Sequence, residues 1–147
     1  MKMRMMLLSA AVAAFVAVGT LHADEIGKDV KCPVSGKAIN PKSTAEHNGG
    51  TVYFCCNNCP KAFKADQAKF AAKANQQMVQ TGQLKQVACP LTGKPVNPAT
   101  EVDIDGAKVA FCCNGCKGKV NKTEGEEKID LVFSDAAAAK GFKPATK

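Results

Sequence analysis

The fold is decided by a stretch that occurs twice, CPVSGKAINPKSTAEHNGGTVYFCCNNC at residues 32–59 and CPLTGKPVNPATEVDIDGAKVAFCCNGC at residues 89–116. Each of the four cysteines in the first stretch has a counterpart 57 residues later, without a gap. Self-similarity at a fixed offset is the sequence signature of an internal duplication. We therefore expect two copies of one small module, at residues 28–82 and 85–143, the second with a helical tail.

Each copy predicts the same order of local structures. A Cys-Pro knuckle comes first, in which Gly36 in the first copy and Gly93 in the second permit a tight reversal. Asn48-Gly49, and an Asp-Gly pair in the second copy, are typical of the two-residue turn between antiparallel strands. The expected fold class is α+β, with two tandem treble-clef or zinc-ribbon-like modules, each a knuckle, a β-hairpin and an α-helix.

The helix of the first copy is predicted from apolar residues that recur at helical spacing. These are Cys59, Phe63, Phe70, Ala74 and Met78. Thr81-Gly82 is expected to end this helix. The corresponding helix of the second copy is expected to be shorter, and Ser134 is a candidate N-cap for a further helix that stops at Gly141.

Residues 1–23 have the pattern of a signal peptide. Lys2 and Arg4 precede an apolar run, and Leu21 and Ala23 stand where a signal peptidase prefers small or apolar side chains. The run is shorter than the roughly 18 residues of a spanning helix. We therefore expect a periplasmic or secreted protein without stable membrane insertion after cleavage.

The charge of the remaining chain argues against nucleic-acid binding. It carries 18 lysines, no arginine, one tyrosine and no tryptophan. Lysine lacks the planar fork that reads base edges, and few aromatic rings are present to stack on bases. A basic but solvated surface is the simpler interpretation.

The cysteines are expected to stabilise modules that are too small for a large core. A hairpin would return the chain to the knuckle, and thiolates at a helix start are favoured by the helix dipole. The predicted metal ligands are all eight cysteines: Cys32, Cys55, Cys59, Cys89, Cys112 and Cys116 as core ligands, with Cys56 and Cys113 as fourth ligands or as partners in a CxxC redox pair.

The same residues resemble the YHS domain and the related TRASH domain. The TRASH pattern of a cysteine, some twenty residues, a cysteine, three residues and a cysteine is met once in each copy. The resemblance covers roughly residues 30–70 and 87–125. It implies binding, trafficking or sensing of heavy metals. We do not expect sensing by direct transcriptional control, because residues 1–147 have no pattern of a DNA-binding domain.

A site made only of thiolates selects soft or borderline ions. Trigonal S3 coordination suits Cu(I), and tetrahedral S4 coordination suits Zn(II). We expect roughly one such ion per module, either Zn or Cu(I), in a buffer, carrier or delivery protein whose protein partner is unknown.

Two alternatives remain open at this point. Exported proteins live where thiols oxidise, so the cysteines could form disulfides in an interaction module. The CxxC spacings could instead belong to a thiol-disulfide oxidoreductase. No Ser-His-Asp set or paired carboxylates favour an enzyme. His47 is replaced by Ile104 in the second copy, and we expect it to be an exposed strand residue.

Overall fold

The computed structural model describes residues 26–27 and 29–145, which form six short strands and five helices. The predicted signal peptide, residues 1–23, lies outside the described residues. The predicted α+β class is confirmed. In chain order the elements are β1 (Asn40–His47), β2 (Gly50–Phe54), α1 (Cys59–Ala65), α2 (Gln67–Gln80), β3 (Leu84–Gln86), β4 (Asn97–Ile104), β5 (Ala107–Phe111), α3 (Asn114–Lys122), α4 (Gly125–Phe133), α5 (Asp135–Gly141) and β6 (Phe142–Pro144).

The two predicted hairpins are present and have the same geometry. Strand β1 pairs antiparallel with β2, and β4 pairs antiparallel with β5. Both residues of each turn have positive φ, at 48° and 78° for Asn48 and Gly49 and at 49° and 86° for Asp105 and Gly106. This backbone matches the twist of the flanking strands, so each turn fixes the register that brings the chain back toward its knuckle.

The prediction of a single helix after Cys59 is wrong, because the chain forms two helices with a break at Asp66. Asp66 has φ −144° and ψ 72°, and its side chain accepts a hydrogen bond from the backbone N–H of Lys69. It therefore caps α2 after α1 has ended. Phe63 and Phe70 still pack against the same core, because both helices lie on the hairpin. The predicted end is confirmed, since α2 stops at Gln80 with Thr81 at its C-cap.

Each hairpin packs against helices to form its own hydrophobic core. Repeat-related residues occupy both cores, including the pairs Val52 and Val109, Phe54 and Phe111, and Phe63 and Val120. All six are fully buried. The second core is completed by α4 and α5. By the 57-residue offset, α4 corresponds to residues 68–76 within α2.

Helix α2 lies between the two cores and contributes to both. Ala74 and Met78 belong to the first core, whereas Ala72 belongs to the second. Buried Gln77 donates to the carbonyl of Tyr53 at 2.8 Å and accepts from its N–H at 2.7 Å. One polar side chain therefore fills both backbone hydrogen-bonding positions of Tyr53 at the free edge of β2.

The chain beyond α4 returns to the linker between the modules. Ser134 stands at the N-cap position of α5, as predicted, but its side chain makes no capping hydrogen bond. Gly141 ends α5 at the predicted place, and β6 then pairs antiparallel with β3. The carbonyl of Gly141 accepts hydrogen bonds from Val87 and Ala88, which directly precede the second knuckle.

The prediction of an exposed His47 is wrong, because only 7% of this residue is exposed. Its ring packs edge-on against Phe63, with centroids 5.4 Å apart. Its Nε2 lies 3.5 Å from a carboxylate oxygen of Asp135, in a polar cluster that includes buried Asn75. The reason for burial is the repeat position that His47 shares with Ile104, itself a core residue.

Among the described residues, no helix combines the length and the apolar composition needed to cross a membrane.

Candidate metal centres

Six of the predicted ligands converge into two groups of three thiols. The Sγ atoms of Cys32, Cys55 and Cys59 all lie within 4.8 Å of one another. The second group has the same property and consists of Cys89, Cys112 and Cys116. We call these groups triad 1 and triad 2. The predicted meeting of the knuckle thiol with the two thiols at the strand–helix junction is therefore confirmed in both copies.

The knuckle that presents the first thiol of each triad is held by backbone hydrogen bonds. The N–H of Cys32 donates to the carbonyl of Lys37 at 2.8 Å, and the N–H of Gly36 donates back to the carbonyl of Cys32 at 2.8 Å. Gly36 has φ 69°, a value that glycine adopts without strain. The corresponding bonds of Cys89 measure 2.8 and 2.7 Å. Both knuckles thus have the same backbone conformation, which their common sequence pattern determines.

The other two thiols come from the junction between the second hairpin strand and the next helix. Cys55 follows β2, and Cys59 is the first residue of α1, with 3.6 Å between their Sγ atoms. Cys112 follows β5, and Cys116 lies in the first turn of α3, at 3.7 Å. In each copy one thiol lies just before the helix and the other inside it, and both sulfurs lie within 4.8 Å of the knuckle sulfur.

The knuckle thiols are surrounded by hydrogen-bond donors. Burial raises the pKa of Cys32, but a hydrogen bond from the Ser35 hydroxyl and three from backbone N–H groups outweigh it and lower the pKa to about 7. The balance at Cys89 is the same, with Thr92 in place of Ser35, and the pKa is again lowered to about 7. A partly charged thiolate is therefore available in each triad near neutral pH.

The helix thiols behave in the opposite way. Burial raises the pKa of Cys59 far above its ordinary range, and the neighbouring thiols, Cys56 first and then those of triad 1, raise it further. Burial, followed by the neighbouring thiols, raises the pKa of Cys116 to about 12. Three close thiolates repel one another, so these groups keep their protons until a cation compensates the charge.

The remaining two cysteines lie at the rim of the triads. Cys56 and Cys113 are exposed, and neither belongs to the sets in which all sulfurs are within 4.8 Å. The Sγ of Cys56 lies 3.5 Å from that of Cys59, and the Sγ of Cys113 lies 3.8 Å from that of Cys112. Backbone N–H groups at the helix start, that of Cys59 first for Cys56, lower the pKa of both thiols. Both expectations for them, fourth ligand or CxxC redox partner, stay predictions.

Two hydroxyl residues next to the triads were missed by the sequence reasoning. Ser35 Oγ lies 3.1 Å from the Sγ of Cys55, and Thr92 Oγ1 lies 3.3 Å from the Sγ of Cys112. They occupy the same repeat position, and both carry a hydroxyl. That shared chemistry at one repeat offset was the available signal. Such neighbours orient metal-binding thiols and adjust their basicity.

The donor set fits a thiophilic ion. Three sulfurs bonded to one ion at about 2.3 Å in a plane would be about 4.0 Å apart, and the triads approach this spacing. All eight cysteines are free thiols, and the closest sulfur pairs, at 3.5–3.8 Å, are far outside the roughly 2.05 Å of a disulfide. The predicted positions are thus compatible with one ion in each triad.

Comparisons of the chain with models of protein families, with curated proteins and with solved structures found no match.

Proposed function

We propose that this protein binds one soft or borderline heavy-metal ion, Zn(II) or Cu(I), in each triad, and serves outside the cytoplasm as a buffer, carrier or delivery module. The observation that carries the proposal is the convergence of three sulfurs from separate parts of the chain, twice, in equivalent arrangements. Catalysis of a reaction is not part of the proposed function.

The chemistry of the donors supports this choice of ion. Each triad offers only sulfur, and thiolates select Cu(I), Zn(II) and related ions over hard cations such as Mg²⁺ and Ca²⁺. Three sulfurs alone suit trigonal Cu(I), whereas Zn(II) would take a fourth ligand from Cys56, Cys113 or water. The proposal therefore names both ions, with Zn(II) favoured as a structural ion and Cu(I) as cargo.

Two features favour two separate sites over one shared cluster. Triad 1 is part of the first core through Cys32 and Cys59, and Cys89 is part of the second core. Each knuckle is also closed by its own hydrogen bonds. Loss of one site should therefore leave the other able to bind.

The family and the location are part of the same proposal. The cysteine spacing of both modules supports a protein of the YHS and TRASH type, in a tandem arrangement of treble-clef-like modules. The signal-peptide pattern of residues 1–23 supports export to the periplasm or secretion. In an oxidising compartment the thiols need protection, and a bound ion would supply it.

Metal content of anaerobically purified protein tests the proposal. We expect about two ions per chain in elemental analysis, one for each triad. Cys32→Ser and Cys89→Ser should each reduce the content to about one. Cys32 and Cys89 are fully buried, so these substitutions can also disturb folding. The half-buried ligands therefore provide a second pair of variants, Cys55→Ser and Cys112→Ser.

The variants of one triad are controls for those of the other. A substitution in triad 1 should remove only the ion of triad 1, and a substitution in triad 2 only the ion of triad 2. Non-reducing mass spectrometry of the same samples addresses the disulfide alternative. A metal-free protein that is eight hydrogens lighter than the reduced chain would contradict the proposal and favour a disulfide-stapled module.

A further inference from the structure

Building on the proposed function, we propose that Cys56 and Cys113 are exchange ligands, through which a metal ion enters and leaves the triad beside each of them. In this role the exposed thiol binds the ion only in passing. At equilibrium the three triad sulfurs hold the ion, and water rather than Cys56 or Cys113 is the fourth ligand when the ion is Zn(II).

The four cysteines of each site differ in burial, and one of them is exposed. In triad 1, Cys32 and Cys59 are 2% and 8% exposed, and Cys55 is half-buried. Cys56 alone of the four is exposed. In triad 2, Cys89 is fully buried and the other two sulfurs are half-buried, again with one exposed thiol beside them. Each site therefore has one exposed cysteine that an ion arriving from solvent can reach.

The distances allow the ion to pass from the exposed thiol to the triad without being released. Two sulfurs bonded to one zinc ion at about 2.3 Å each can be at most about 4.6 Å apart. The Cys56–Cys59 separation of 3.5 Å and the Cys113–Cys112 separation of 3.8 Å are both shorter than this limit. The ion can thus be bonded to the exposed thiol and to one triad thiol at the same time.

The backbone of each exposed cysteine is fixed, whereas its side chain is not covered. The carbonyl of Cys56 accepts a hydrogen bond from the Ser43 hydroxyl at 2.7 Å. The carbonyl of Cys113 accepts one from the N–H of Lys117 in α3 at 3.2 Å. Rotation about χ1 can therefore move each sulfur between solvent and triad while the main chain stays in place.

The step is a ligand exchange without electron transfer. The Sγ of Cys56 displaces a water ligand from the ion, and the thiol proton passes to solvent. A triad thiol then loses its proton to solvent and bonds to the ion. The bond to Cys56 breaks as the ion moves inward, and the released thiolate takes a proton from solvent. Release follows the same path in reverse. The exposed thiol therefore accelerates uptake and release equally and leaves the equilibrium affinity almost unchanged.

The test measures Zn²⁺ uptake and release in the reduced protein by stopped-flow absorbance with a chromogenic zinc chelator, and the Kd by competition with the same chelator. We expect Cys56→Ser to slow both rates at triad 1 by about tenfold, because it removes a tethered thiol of high effective concentration. Cys113→Ser should do the same at triad 2. Asn57→Ser, at an exposed neighbour of Cys56, is the matched control and should change neither rate.

The outcomes separate this proposal from the proposed function. Unchanged rates in Cys56→Ser and Cys113→Ser, with two ions bound, would overturn the exchange role alone. A lost ion, or a much weaker Kd with an unchanged uptake rate, would also overturn it, because the exposed thiol would then be a permanent ligand. Failure of the unaltered protein to bind Zn²⁺ or Cu(I) would overturn the proposed function as well.

Discussion

We predict that a side chain at Gly141 lowers the metal affinity of triad 2, although this residue lies 25 positions after Cys116 in the chain. A Cβ atom placed on this residue would lie 2.8 Å from the Cα of Pro90, 2.9 Å from its Cβ and 3.0 Å from its nitrogen. Pro90 directly follows the knuckle cysteine of triad 2. The substitution Gly141→Ala therefore pushes α5 and the second knuckle apart.

The expected loss of stability in Gly141→Ala follows from the rigidity of the atoms that an added Cβ would meet. The atoms in the way belong to the backbone and the proline ring, which cannot rotate aside. Overpacking of this kind costs about 2 kcal/mol, which corresponds to a melting temperature lower by roughly 8 °C for a protein of this size. The carbonyl of Gly141 also accepts from Val87 and Ala88, so a shift of α5 strains the approach to Cys89. Metal affinity at triad 2 should fall by about tenfold, in the range seen for residues that support ligands.

Thermal unfolding of the metal-free protein and competition titration with Zn²⁺ measure the two effects. Affinity is assigned to one triad by combining Gly141→Ala with Cys55→Ser or with Cys112→Ser. The matched control is Gly118→Ala, since Gly118 lies in α3 of the same module with no neighbouring atom within 4 Å of an added Cβ. This control should stabilise the helix by about 0.5–1 kcal/mol. A Gly141→Ala protein with unchanged melting temperature and unchanged triad 2 affinity would refute the reasoning.

Three further predictions address the triads and the contact between the modules. Ser35→Ala removes a hydrogen bond that lowers the pKa of Cys32, so competition titration at neutral pH should show about tenfold weaker binding at triad 1 and no change at triad 2. Because the pKa of Cys59 is raised, its thiol proton must leave when an ion binds. Calorimetry in buffers of different ionisation enthalpy should therefore show at least about one proton released per ion, and the metal affinity should fall as the pH is lowered. Asn75→Leu leaves the carbonyl of Phe133 without its 2.9 Å donor and should lower the free energy of unfolding in urea by about 2–3 kcal/mol, whereas Asn57→Leu at an exposed position should lower it by less than about 0.5 kcal/mol.

The triads could be predicted from the sequence because their geometry is local to each copy. A knuckle, a two-residue hairpin turn and a helix start each have residue requirements that the chain meets twice. The hairpin then determines which sulfurs meet. The same locality explains why Cys55 and Cys56 could be distinguished, since neighbouring residues at a strand end point in different directions.

The break at Asp66 could not be read from hydrophobic spacing. Phe63 and Phe70 are seven residues apart, the spacing of one face of a continuous helix, and both still reach the first core when the helix is broken. Only the capping bond to Lys69 distinguishes the two cases, and an aspartate in mid-helix is not rare enough to predict it.

Two long-range features, the β3–β6 pairing and the burial of His47, were missed for a different reason. Strands β3 and β6 are three residues each and belong to segments far apart in the chain, so neither has a period to detect. The burial of His47 was available from the repeat, because Ile104 occupies the equivalent place. A polar side chain at a core position is buried when partners such as Asp135 are nearby, and those partners come from the other module.

The glutamine side chains along the hairpin edges have a consequence for self-association. Gln83 brackets the N–H and carbonyl of Thr51 at 2.6 and 2.7 Å, and Gln86 does the same for Ala110 at 2.9 and 2.6 Å. Together with Gln77 at Tyr53, these amides occupy positions that a strand from another molecule would otherwise use. The outer edges of β2 and β5 are thereby blocked from pairing with a strand of another molecule, which reduces edge-to-edge association in a concentrated solution of metal-free chains.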